Sequence, residues 1–136
     1  MELQIVLQLL LATFLGSLIG LEREIKRKEA GLQTYGLVAL GSCLFTITAL
    51  FLVGDGVMPE PSSVFLAIGL GMGFIGAGAI FHKEEKIEGL TTAAGLWVAA
   101  AIGLAVGTKY YFFAGVATFL VLLIFVGLGF LEKKSF

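Results

Sequence analysis

The side chains able to do chemistry in this chain stand at the ends of apolar runs. Glu22, Arg23 and Glu24 follow directly on Leu21, where the first run closes. A cation near a helix C-terminus is favourable and an acid is not, so two acids there need a reason. One is ion pairing, with Arg23 or with Lys26 four residues after Glu22. Another is partial ligation of a hard cation, since Mg²⁺ takes one or two carboxylates and keeps its waters. The third is plain solvated charge. Glu84, Glu85 and Glu88 present the same choice. Thr34, Thr91 and Thr92 come just after Gly31 and Gly89, where later runs open. Hydroxyls there can cap free amides, and the same helix N-termini attract anions.

Other chemistry is excluded by what is missing. The single histidine, His82, and the single cysteine, Cys43, are far apart, with no ligand spacing, nucleophile motif or phosphate loop around either. No catalytic residue and no cofactor is expected, Mg²⁺ being the one ion the carboxylates suggest; the chain is not read as an enzyme. Its net charge of −1 gives no basis for a nucleic-acid partner. Cys43 has no second cysteine to pair with and reads as a small core residue.

The elements that position these groups are five apolar runs: Leu3–Leu21, Tyr35–Val53, Ser63–Phe81, Leu90–Gly107 and Phe112–Leu131. Each holds about 18–20 residues, or about 27–30 Å as helix, and none contains Asp, Glu, Lys, Arg or His. With 58% hydrophobic residues and a mean hydropathy of +1.01, the chain is not an ordinary soluble domain. Lipid leaves backbone amides no partner outside their own segment, so the runs are helices. The expectation is an all-α polytopic membrane protein of five transmembrane helices, one domain over residues 1–136. The basic residues segregate: Arg23, Lys26, Arg27 and Lys28, then Lys83 and Lys86, then Lys133 and Lys134 share one side, leaving Lys109 on the other. Positive loops stay in the cytoplasm, which puts the N-terminus outside and the C-terminus inside. These loops are mixed with acids and read as topology signals rather than polybasic lipid clamps. A four-span alternative, with the glycine-rich third run re-entrant, would move Glu84, Glu85 and Lys86 outside.

Helices in lipid associate through close packing of small residues. Gly16 and Gly20 form such a row on the first helix; Gly69, Gly73, Gly76 and Gly78 lie on the third; Gly95, Gly103 and Gly107 lie on the fourth. The third and fourth helices are therefore expected at the centre, and the bulky fifth at the periphery. Several glycine faces on so small a bundle predict a homo-oligomer. Gln4 and Gln8, one turn apart, either line an outer vestibule or bond across helices. Trp97, near mid-membrane, needs a partner for its indole N–H and reads as a packing keystone or a substrate contact. No ionisable group lies deep in a run, which removes the usual proton relay or ion-coupling carboxylate.

Two stretches share a pattern. In each, a glycine-bearing helix end leads through a charged loop into Gly-Leu-x-Thr, matching Gly31, Leu32 and Thr34 with Gly89, Leu90 and Thr92. They predict a parallel repeat of two helices about an axis along the membrane normal, with the fifth helix extra.

Leu18-Ile19-Gly20-Leu21-Glu22-Arg23-Glu24, Ala30-Gly31-Leu32-Gln33-Thr34, Gly71-Met72-Gly73-Phe74-Ile75-Gly76-Ala77-Gly78 and Gly89-Leu90-Thr91-Thr92-Ala93-Ala94-Gly95-Leu96-Trp97 together resemble the MgtC/SapB family in order and spacing. The resemblance implies a bacterial inner-membrane protein linked to growth at low magnesium. For the family's virulence-associated members it also implies survival inside macrophages and restraint of the ATP synthase. The chain departs from the family pattern where basic residues are common: Gln33 and Glu88 replace arginines, and Ser63 and Ala67 stand where an Arg and a Gln are usual. The soluble C-terminal domain of longer members has no counterpart in these residues. The leading expectation is a regulator of ion homeostasis acting through the bilayer, a second copy and other membrane proteins. The alternative is a transporter or channel for a small ion or metabolite.

Overall fold

The computed structural model describes residues 1–135; Phe136, where the single-domain reading ends, lies outside them. Five helical segments follow the five runs: α1 (Glu2–Ile25), α2 (Leu32–Gly54), α3 (Ser62–Gly78), α4 (Leu90–Gly107) and a last helix made of α5 (Tyr111–Leu123), a π-helical turn (Ile124–Leu128) and α6 (Gly129–Ser135). Four of them are long and apolar enough to cross a membrane. The 17-residue α3 is the exception, about 26 Å long at 1.5 Å per residue. Its run was expected to continue to Phe81. Instead the chain leaves the helix after Gly78 and forms a small antiparallel hairpin, β1 (Phe81–Lys83) with β2 (Lys86–Glu88), in register His82 to Ile87. Glu84 and Glu85 make its two-residue turn with φ of 50° and 68°, the left-handed geometry that hairpin turns of this length require.

Paired contacts set the directions. Tyr35 meets Thr92, Ser42 meets Ala100, and Thr46 meets Gly107, so α2 and α4 run parallel, side by side. Gln8 reaches Val106 while Arg23 reaches Thr92, so α1 is antiparallel to both. The pairs α1–α2 and α3–α4 thus turn at the same end, as the repeated Gly-Leu-x-Thr grammar requires. The site for a Cβ on Gly89 lies 3.3 Å from Glu29 Cγ, which places both turns together.

The core lies on α4, where Thr92, Gly95, Leu96, Ala99, Gly103 and Val106 are among the buried residues. Facing it on α2 are Tyr35, Ala39, Ser42 and Thr46. Close approach is built on glycine: a Cβ on Gly103 would run into the Ala39 carbonyl, and one on Gly107 would lie 2.8 Å from Thr46 Cβ. On α1, a Cβ at Gly16 would be 2.6 Å from the Tyr35 carbonyl oxygen. Polar groups inside are satisfied by carbonyls: Gln8 Nε2 donates to Val106 O at 2.9 Å, and Ser42 Oγ to Ala100 O at 2.5 Å. Gln8 therefore bonds across helices, while Gln4 is exposed.

The expected central place of α3 is corrected. Only Met72 and Gly76 of this helix are buried. A methyl group at Gly69, Gly73 or Gly78 would meet no atom of the described residues within 4 Å, and one at Gly76 would touch Ala93 at an ordinary 3.6 Å. The physical reason is supply of partners: α1 already fills the second face of the α2–α4 pair. The last helix is peripheral, burying one stripe of Ala114, Thr118, Val121 and Phe125.

Candidate functional site: a buried arginine at the helix-turn end

The end of the bundle that holds both turns gathers Glu22, Arg23, Lys26, Tyr35, Thr92 and Phe125. The last turn of α1 carries the charges. Arg23 is 3% exposed. Its Nε donates to Glu22 Oε2 at 2.7 Å, and its guanidinium carbon lies 3.7 Å from the centre of the Phe125 ring. Its Nη1 reaches Thr92 Oγ1 at 3.5 Å, the limit of a hydrogen bond. An arginine can be held this deep because a planar cation is weakly hydrated and stacks on an aromatic face. Glu22 also pairs with Lys26, four residues on, at 2.6 Å. That contact is an ion pair without hydrogen-bond geometry, since Glu22 Oε1 has no directional partner. Lys26 Nζ donates instead to the Phe125 carbonyl at 2.8 Å, within the π-turn. Such turns disturb the regular backbone ladder, and here a lysine from another helix bonds to it.

Phe125 reaches this position because α4 has no side chain opposite it. A Cβ on Gly95 would be 2.5 Å from both Phe125 Cζ and the Tyr35 hydroxyl oxygen. Tyr35, itself wholly buried, donates to the Thr92 carbonyl at 2.7 Å. Gly20 performs the same service for α2: its Cβ would lie 2.9 Å from Tyr35 Cβ.

Glu24 faces the other way. Its Oε1 accepts from the Leu32 amide at 3.2 Å, at the start of α2. The anion at this helix N-terminus is thus the chain's own carboxylate, favoured by the helix dipole. The N-cap, Gly31, has no side chain to do it, and a Cβ there would come within 2.5 Å of Glu24 Oε1. With Glu22 flanked by two cations and Glu24 engaged by an amide, this pair does not fit a divalent cation. Among the described residues no group of three or more His, Cys, Asp or Glu side chains could hold a metal ion.

The sequence-expected residues thus separate. Glu22, Arg23 and Thr92 come together, Glu24 sits beside them as a cap, and Thr91 is exposed at the mouth of the cluster. Thr34 is half-buried and does not cap α2. Trp97 is corrected: it is 60% exposed on the outward face of α4, neither a packing keystone nor part of this cluster. Tyr35 and Phe125 were not anticipated as site residues. A lone tyrosine opening an apolar run was a usable signal for the first; Phe125 is one phenylalanine among 12.

The chain is similar to known proteins over most of its length. The model of the MgtC family matches residues 9–134. The Escherichia coli (strain K12) protein named "Putative magnesium transporter YhiD" is 40% identical over all of this chain and 67% of its own length. Protein SapB of Bacillus subtilis is 43% identical over 79% of this chain and 49% of its own length. Protein MgtC of Brucella abortus is 42% identical over 79% of this chain and 44% of its own length. The chain thus spans about half the length of several curated relatives. No solved structure matches it. With the family pattern running through α1, the buried arginine and all the later helices, this chain belongs to the MgtC family.

Proposed function

We propose that this chain is a bacterial inner-membrane protein of magnesium homeostasis that acts through contacts with other membrane proteins rather than by carrying the ion. The link to magnesium rests on the name of the Escherichia coli relative, a putative magnesium transporter. The observation that carries the regulatory reading is the closed α2–α4 interface. Glycines there bring backbones into contact, and the interior polar groups Gln8, Ser42 and Tyr35 are already bonded to carbonyls. A carrier needs ionisable groups or water-filled space along a path, and neither α2 nor α4 carries a single Asp, Glu, Lys, Arg or His along the interface they share. We orient the turn end to the cytoplasm, since it collects Lys26, Arg27, Lys28, Lys83, Lys86 and Lys133. A second copy is the partner assigned to the outer face of α3. Phe74, 88% exposed, projects beside the open Gly69 and Gly73, and an apolar cleft of about 350 Å³ lies between α2 and α3.

Direct transport is the second reading, favoured by the name of the Escherichia coli relative. Purified protein in liposomes separates the two. The regulatory reading expects Mg²⁺ uptake no faster than in protein-free vesicles. Uptake that is specific, and abolished by Glu22→Gln or Thr92→Val, would overturn it.

A further inference from the structure

The fold joins two basic segments that are far apart in the chain. A crevice of about 990 Å³ opens between the end of α1 and the last helix. Arg23, Lys26 and Lys28 line one wall, and Lys133 stands on the other with a single acid, Glu132. Among the described residues the only ion pairs are those of Glu22 with Arg23 and Lys26, so Lys28 and Lys133 have no acidic partner. Below the cations the crevice is lined by Ile124 and Leu128. It therefore carries positive charge at its mouth and hydrocarbon beneath. It also lies where the apolar span Tyr111–Lys133 ends, at the depth of lipid headgroups.

Arg23 makes this a built site rather than a patch of surface lysines. Burial, the Phe125 ring and Glu22 hold its guanidinium in place. Its five N–H donors exceed the two that bond Glu22 and Thr92. The Thr91 hydroxyl lies on the same wall. Planar donors, mobile ammonium groups and a hydroxyl are the chemistry that recognises a phosphate. Basic pockets between membrane helices bind anionic headgroups by these means.

We propose that this crevice binds the phosphate of an anionic phospholipid, with the proximal part of an acyl chain along Ile124 and Leu128. Free phosphate shares the polar chemistry but has no use for the apolar wall.

Native mass spectrometry of the full-length chain, released from detergent with defined lipids, tests this. Phosphatidylglycerol should remain bound where phosphatidylcholine of the same chain length does not. Replacing the exposed lysines, Lys28→Gln with Lys133→Gln, should weaken phosphatidylglycerol retention by roughly fivefold per charge removed without lowering thermal stability in lipid-free detergent. Inorganic phosphate in millimolar excess should fail to displace the lipid. Equal retention of the two lipids, unchanged retention in the double variant, or full displacement by inorganic phosphate would each overturn the proposal.

Discussion

The Arg23 guanidinium lies 3.7 Å from the centre of the Phe125 ring, between the last turn of α1 and the π-turn of the final helix. This contact and the Lys26 bond to the Phe125 carbonyl tie the last helix to α1. Elsewhere the last helix buries only one stripe. Phe125→Leu keeps apolar volume but removes the aromatic face. It should destabilise the protein by about 1–2 kcal/mol, the range for a desolvated cation–π contact. Phe125→Ala adds a cavity and should lose about 3 kcal/mol or more. Thermal denaturation in detergent would show the graded order; equal midpoints for the two variants would contradict it.

Glu22 neutralises two cations at once, with its own side chain only 10% exposed. Glu22→Gln keeps the shape and leaves Arg23 buried without its counter-charge. Breaking a buried pair on one side is far more damaging than replacing both partners. The expected loss is about 2 kcal/mol, lower than for a dry interior because Lys26 is partly solvated. Lys26→Gln alone should lose less, about 1 kcal/mol, since the lysine is partly solvated and a glutamine amide can still donate to the Phe125 carbonyl. A double-mutant cycle with Arg23→Met should return a coupling near the full single-variant loss. Additive effects would mean that Glu22 and Arg23 act separately.

Glycines differ in what surrounds them, and their variants should differ accordingly. Gly103→Ala puts a methyl group into the Ala39 carbonyl, a backbone atom that cannot swing aside. Gly95→Ala drives one between Phe125 and the Tyr35 hydroxyl. Both should destabilise by about 1–3 kcal/mol or more through overpacking. Gly73→Ala meets open space and should leave the single chain unharmed. It would even gain roughly 0.5–1 kcal/mol of helix stability. Gly73→Leu should act only on assembly: if α3 faces a second copy, the oligomer dissociates while each chain keeps its fold. Size-exclusion chromatography with light scattering beside thermal denaturation would read both effects.

The glycine variants also show how far the residues themselves specify the fold. The rows on α1 and α4 declared close packing, and the charged loops declared which ends lie together. The place of α3 was not legible: glycines open a helix face equally to a neighbour in the same chain and to one in another. What decides is which faces of α2 and α4 remain free once α1 has docked, and no local pattern records that. Trp97 was legible in hindsight. It lies two positions after Gly95, about 200° around a helix of 3.6 residues per turn, and so opposite the row that packs. Phe125 gave no signal because its role depends on a π-turn 30 residues after Gly95.

The outward position of Trp97 leads to a test with a built-in reporter, because the chain has one tryptophan. At 60% exposure on α4, and with no hydrogen bond to the described residues, its ring is expected to face hydrocarbon. In bilayers containing phosphatidylcholine brominated near mid-chain its fluorescence should be quenched strongly. A water-soluble quencher such as acrylamide should barely act. Trp97→Phe should shift thermal stability by less than about 0.5 kcal/mol, as for surface substitutions generally. Weak bromolipid quenching in the monomer would return the ring to the interior and reopen the packing of α4. Weak quenching only under conditions that favour assembly would instead place Trp97 in a contact between copies. Repeating the measurement with Gly73→Leu, which separates copies joined through α3, distinguishes the two: quenching recovers in the second case and stays weak in the first.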